Sequence, residues 1–145
     1  KSKEEGLAIS KAIIAGNLNA IEVAYTTPGA SEIISDLLLE YADNEEVVIG
    51  AGTVLDAVTA RLAISNGAEF IVSPSFDKDV AEICNLYLIP YLPGCMTINE
   101  INTALKSGVD IIKVFPGDIV GPQFIKVVKG LLPYVNLILS GGVSL

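Results

Sequence analysis

Apolar residues along this chain fall into short continuous runs, separated by stretches in which they recur every third or fourth position. The runs are NAIEVAY at 19–25, VVIGA at 47–51, EFIVS at 69–73, YLIPYL at 87–92, DIIKVF at 110–115 and VNLILS at 135–140. Continuous apolar runs of this length predict strands buried on both faces. The stretches between them carry helical spacing. In 31–42, Ile33, Ile34, Leu37, Leu38 and Tyr41 make one apolar face. Thr97-Ile98-Asn99-Glu100 is a capping-box pattern, and Gly108 sits where a helix C-terminal glycine belongs. Pro122 suits the first turn of a helix running to about Lys129, and Ser2-Lys3-Glu4-Glu5 opens the chain on another capping box.

Six strands alternating with helices imply parallel strands joined by crossovers, hence an α/β fold. The spacing suits both a (β/α)8 barrel and a doubly wound sheet. No linker, low-complexity stretch or charge block interrupts the pattern, so residues 1–145 are expected to form a single domain. A barrel would need one strand before residue 1 and one after residue 145. The expectation is therefore a chain that is partial at both ends, with a smaller open sheet as the alternative.

Composition narrows the chemistry. The chain is 51% hydrophobic and 18% charged, with a net charge of −8, which argues against a nucleic-acid binder, since a phosphate backbone calls for clustered Lys and Arg. No apolar run reaches the ~18 residues of a membrane span. Cys84 and Cys95 have no zinc-ligand spacing and read as reduced, structural thiols, which suits a cytoplasmic location. There is no histidine, so Ser-His and Cys-His nucleophile pairs and imidazole metal ligands are excluded. Lys, carboxylates, hydroxyls and backbone dipoles remain.

Two charges interrupt the strands. Glu22 lies between Ile21 and Val23, and Lys113 lies between Ile112 and Val114. Side chains alternate along a strand, so Lys113 shares a face with Ile111 and Phe115, and Glu22 shares one with Ala20 and Ala24. In a barrel both can face one interior volume. One reading is a buried ion pair that fixes the fold, although desolvating two charges is costly. A second is a lysine exposed at a strand edge, which its four apolar neighbours disfavour. A third is a Schiff-base lysine with Glu22 as its proton carrier, because desolvation among apolar side chains favours the neutral, nucleophilic amine. GAGTV at 50–54 and SGGV at 140–143 end two strands in glycines, leaving the Thr53 hydroxyl and backbone N–H groups open to a small anion. Taken singly, each glycine pair reads equally well as turn chemistry.

In order and spacing, IEVAYTTP (21–28), GAGTVL (50–55), FIVSPSFD (70–77), PGCMTINE (93–100), IKVFPG (112–117), GPQFIKVVKGLLP (121–133) and SGGV (140–143) resemble the bacterial 2-keto-3-deoxy-6-phosphogluconate (KDPG) aldolases, a family that also covers 4-hydroxy-2-oxoglutarate (KHG) aldolase. The resemblance implies a TIM barrel whose first strand and last βα unit lie outside this sequence. It also implies a homotrimeric class I aldolase that needs no metal or other cofactor and acts on a small-molecule substrate. Carried over, Lys113 matches the Schiff-base lysine and Glu22 the acid/base glutamate. Thr53 matches a hydroxyl that holds the substrate carboxylate, and Thr26 stands where many members carry an arginine for that carboxylate. Pro74 and Phe115 match pocket-lining residues. Ser140, Gly141 and Gly142 match the start of a phosphate-binding turn, with serine where threonine is commoner. The expected reaction is cleavage of KDPG to pyruvate and glyceraldehyde 3-phosphate. The alternatives are KHG cleavage to pyruvate and glyoxylate, or a non-catalytic barrel that binds phosphate or keto acids.

Overall fold

A computed structural model describes residues 2–143. Its elements alternate throughout: α1 (Lys3–Ala15), β1 (Ala20–Ala24), α2 (Ala30–Glu40), β2 (Val48–Gly52), α3 (Ala57–Ser65), β3 (Ile71–Ser73), α4 (Lys78–Tyr87), β4 (Tyr91–Cys95), α5 (Ile98–Lys106), β5 (Ile111–Val114), α6 (Gly117–Leu131) and β6 (Asn136–Leu139). Both expected capping boxes form, at Ser2/Glu5 and Thr97/Glu100. Gly108 follows the C-cap of α5 with φ +88°, in the left-handed region that glycine enters freely. Within α6, Gly121 breaks the helical dihedrals and Pro122 restarts them, as a proline in a first helical turn does.

All six strands are parallel and stand in the order β1-β2-β3-β4-β5-β6. That order decides between the two candidate architectures. A doubly wound sheet reverses its strand order at a switch point, whereas a barrel adds each strand beside the last. The six strands form an arc of a TIM barrel, with the hydrophobic core between the sheet and the helices. Ile21, Ile49, Ile71 and Ile112 of the sheet bury their side chains there, against Ile33, Ile34 and Leu37 of α2, Val80 of α4 and Ile101 of α5. The opposite face of the sheet lines an open hollow.

One boundary differs from expectation. The run YLIPYL at 87–92 is not a single strand: Tyr87 ends α4, Leu88 is its left-handed cap, and β4 starts at Tyr91 and continues through Pro93 and Gly94 to Cys95. Short apolar runs carry no period that separates a helix end from a strand start, and Pro-Gly reads locally as a turn. Gly94 nevertheless sits in β4 opposite Lys113. A Cβ there would overlap the carbonyl oxygen of Pro74, so the position requires glycine for close approach.

Candidate active site

Strand alternation sets the site. In β5, Ile112 and Val114 are buried against the helices, while Ile111 and Lys113 turn to the inner face and are only half-buried. In β1, Ile21 and Val23 are buried while Ala20 and Glu22 face inward and are exposed. The lysine is thus less enclosed than its four apolar neighbours in sequence suggest, because two of them belong to the other face.

Glu22 and Lys113 line one hollow of about 450 Å³, together with Val48, Phe70, Val72, Leu92, Ile138 and Ser140. Its walls are mainly aliphatic and aromatic, with a few polar groups among them, the usual make-up of a small-molecule site. Glu22 and Lys113 do not pair: the ion pairs among the described residues are Lys3–Asp36, Lys11–Glu40 and Lys78–Glu82, all on the helical exterior. The buried-pair reading is therefore not what the fold contains. The Lys113 Nζ lies 5.1 Å from the centroid of the Phe115 ring, within range of a cation–π attraction.

Glu22 owes its placement to β2. It stands opposite Gly50 in register, with Gly52 two residues further along the same face. A Cβ on Gly52 would overlap Glu22 Oε1 and lie 2.5 Å from its Cγ and Cδ, so the carboxylate occupies the space that a side chain at 52 would fill. Gly50 likewise makes room for the Phe70 ring. These two accommodating glycines escaped the sequence reading, which took them only as strand-end backbone; the cross-strand register would have been the signal.

The other expected residues lie around the strand C-terminal ends. Thr53 follows β2 with φ +55°, a conformation in which a β-branched residue is an outlier. Its hydroxyl takes no hydrogen bond among the described residues. Pro74 sits over Gly94, half-buried. Thr26 is exposed in the turn after β1, and Thr26, Thr53, Pro74, Phe115, Gly141 and Gly142 all lie outside the lining of the hollow, which takes in only Ser140 of this group.

Phe115 links the lysine to the glycine turn, since a Cβ on Gly141 would lie 2.8 Å from its ring. That turn is fastened to the segment after β5: the Gly117 N–H donates to Ser140 O at 2.7 Å and the Asp118 N–H donates to Gly141 O at 3.0 Å. Gly141 and Gly142 are both left-handed, with φ +88° and +69°, and no partner takes their N–H groups among the described residues. The Asp118 carboxylate lies against Gly142, 2.5 Å from where a Cβ would stand, a neighbour the sequence reading did not foresee.

Among the described residues, no cluster of three or more His, Cys, Asp or Glu could hold a metal ion, and no helix is long and apolar enough to cross a membrane.

The family model for KDPG and KHG aldolase matches residues 1–145. The 2-dehydro-3-deoxy-phosphogluconate aldolase of Treponema pallidum is 36% identical over 118 residues, which are 81% of this chain and 55% of that protein. The 2-dehydro-3-deoxy-6-phosphogalactonate aldolase of Escherichia coli is 33% identical over 142 residues, or 97% of this chain and 68% of that one. Among solved structures, the KDPG aldolase of Legionella pneumophila, with pyruvate captured as a covalent carbinolamine, superposes with a TM-score of 0.90 at 28% identity, covering 99% of this chain and 68% of that one. The chain spans 55–68% of the length of these relatives. It belongs to the KDPG and KHG aldolase family.

Proposed function

We propose that this chain carries the Schiff-base centre of a class I aldolase that cleaves KDPG to pyruvate and glyceraldehyde 3-phosphate. The observation behind the reading is that Lys113 and Glu22, unpaired with each other, face one mainly apolar hollow that also includes Ser140. Lys113, as the free amine, attacks the C2 ketone to give a carbinolamine. Loss of water, with Glu22 supplying the proton, leaves an iminium. Glu22, directly or through a water, takes the C4 hydroxyl proton. The C3–C4 bond breaks, its electron pair passing into the iminium, and the aldehyde departs. The enamine left on Lys113 takes a proton at C3, and hydrolysis frees pyruvate and the amine. Thr53 holds the carboxylate, Phe115 and Pro74 wall the pocket, and the free N–H groups of Gly141 and Gly142, with the Ser140 hydroxyl, receive the phosphate.

The second reading, KHG cleavage to pyruvate and glyoxylate through the same iminium, is favoured by the position of Asp118. Its carboxylate beside Gly142 places a like charge next to a phosphate there. The working assembly in this reading is a homotrimer in the cytoplasm, in keeping with two free, buried cysteines.

The test is intact mass after incubation with pyruvate and sodium borohydride, followed by peptide mapping. The expected result is a reduced pyruvyl adduct on Lys113. A folded protein without an adduct overturns the reading. Competition by inorganic phosphate against the sugar acid separates the two substrates.

A further inference from the structure

Thr53 holds a left-handed conformation between two peptide groups that the neighbouring strands pin. On one side, the Gly52 carbonyl accepts the Tyr25 N–H at 2.8 Å. On the other, Val54 is held at both ends: its N–H donates to Val72 O at 3.1 Å, and its carbonyl accepts the Ser73 hydroxyl at 2.6 Å. Ser73 is 1% exposed and Val54 is fully buried, so water competes for neither group. The next turn is fixed in the same way. The Tyr91 hydroxyl accepts the Asp77 N–H at 3.2 Å and donates to Ser75 O at 3.3 Å. A strained backbone conformation persists only where its surroundings over-determine it. Both peptide groups that flank Thr53 are thus held by backbone partners, and the Ser73 hydroxyl, holding the next carbonyl along, is the only side chain hydrogen-bonded to this segment among the described residues.

We propose that Ser73 is a positioning residue: by holding the Val54 carbonyl, it keeps Thr53 in the left-handed conformation from which the Thr53 hydroxyl meets the keto-acid carboxylate. The carboxylate role of Thr53 rests on the aldolase reading; the clamp itself does not. A serine kept only to satisfy buried hydrogen bonds would affect stability and leave ligand binding alone.

The experiment measures the pyruvate concentration for half-maximal borohydride trapping in the unaltered chain, Ser73→Ala, Ser73→Cys, Thr53→Val, and Ser73→Ala combined with Thr53→Val. The cysteine variant leaves no cavity at position 73, has a much weaker donor and carries the test if the alanine variant does not fold. Both Ser73 variants are expected to raise that concentration roughly five- to tenfold, with the limiting extent of labelling on Lys113 unchanged. The double variant should exceed the larger single effect by no more than about twofold, because both changes act through one hydroxyl. Unchanged pyruvate dependence in the Ser73 variants, or effects that multiply in the double variant, would overturn the proposal. If the unaltered chain traps no pyruvate, the aldolase reading fails, and a crystal structure of Ser73→Cys decides the clamp alone. A Thr53 φ that turns negative supports it, and one that stays near +55° overturns it.

Discussion

The carboxylate of Glu22 lies across Gly52, in the space that a side chain on the neighbouring strand would occupy. This makes Gly52→Ala a probe of acid/base geometry. The alanine methyl forces Glu22 to swing away, and an exposed glutamate can do so cheaply. Turnover is expected to fall at least about tenfold while pyruvate trapping on Lys113 persists and stability changes by about 1 kcal/mol or less. Parallel kinetics and chemical denaturation check this; unchanged turnover would separate Glu22 from the chemistry.

Among the described residues Lys113 has no carboxylate partner, so removing it strands no buried charge there. Lys113→Met should lose all borohydride-dependent labelling. Its unfolding free energy should shift by about 1 kcal/mol or less, the scale of the lost cation–π contact with Phe115. A much larger loss of stability would mean that the lysine serves mainly to fix the fold.

Gly94→Ala should behave differently from Gly52→Ala, because what stands in its way is the Pro74 main chain. The substitution should destabilise by about 1–3 kcal/mol, as overpacking does, readable in a urea titration. Equal stabilities for the two glycine variants would contradict the close approach of β4 to the turn after β3.

At the start of α5, Thr97→Ala should cost about 1 kcal/mol by removing the N-cap acceptor. Its partner Glu100 is held below the ordinary glutamate value of 4.5, first by the Met96 N–H and also by Thr97. A lowered folded value gives stability that is present above the unfolded value and lost as pH falls through the folded one. Glu100→Gln should therefore flatten the stability curve as pH falls below the ordinary glutamate value of 4.5, measured by denaturation at each pH.

Burial pushes the thiols of Cys84 and Cys95 up to about 12. Iodoacetamide at pH 8 should leave both unmodified in the folded protein and alkylate both in denaturant, as mass spectrometry would show. The folded chain keeps these protons longer than the unfolded one. Their contribution is thus complete below the unfolded value of ~8.5 and declines as pH rises from there towards the folded value.

Strand parity made much of this legible in sequence. A charge between apolar neighbours in a run of period two marks an inward position, and both Glu22 and Lys113 were found that way. The end of α4 was not legible, because Tyr87 to Leu92 is apolar throughout while its structure changes at Leu88. Three features of the site depend on partners far along the chain. Gly52 accommodates a residue 30 positions earlier, and Ser73 acts on a carbonyl 19 positions earlier. Thr53 takes a backbone conformation that its own side chain disfavours. Local pattern carries no register, so none of these could be read from it.

The alternation along β5 means that adjacent letters of the sequence answer to different masters. Ile112 and Val114 are accountable to folding, Lys113 to the hollow, and the sheet insulates one from the other. A saturation scan of β1 and β5 should therefore read like a comb, with intolerant teeth against the helices and more permissive gaps facing inward. New reactive groups set at positions lining the hollow, Val48 or Ile138 for example, would change the chemistry on offer without renegotiating the scaffold.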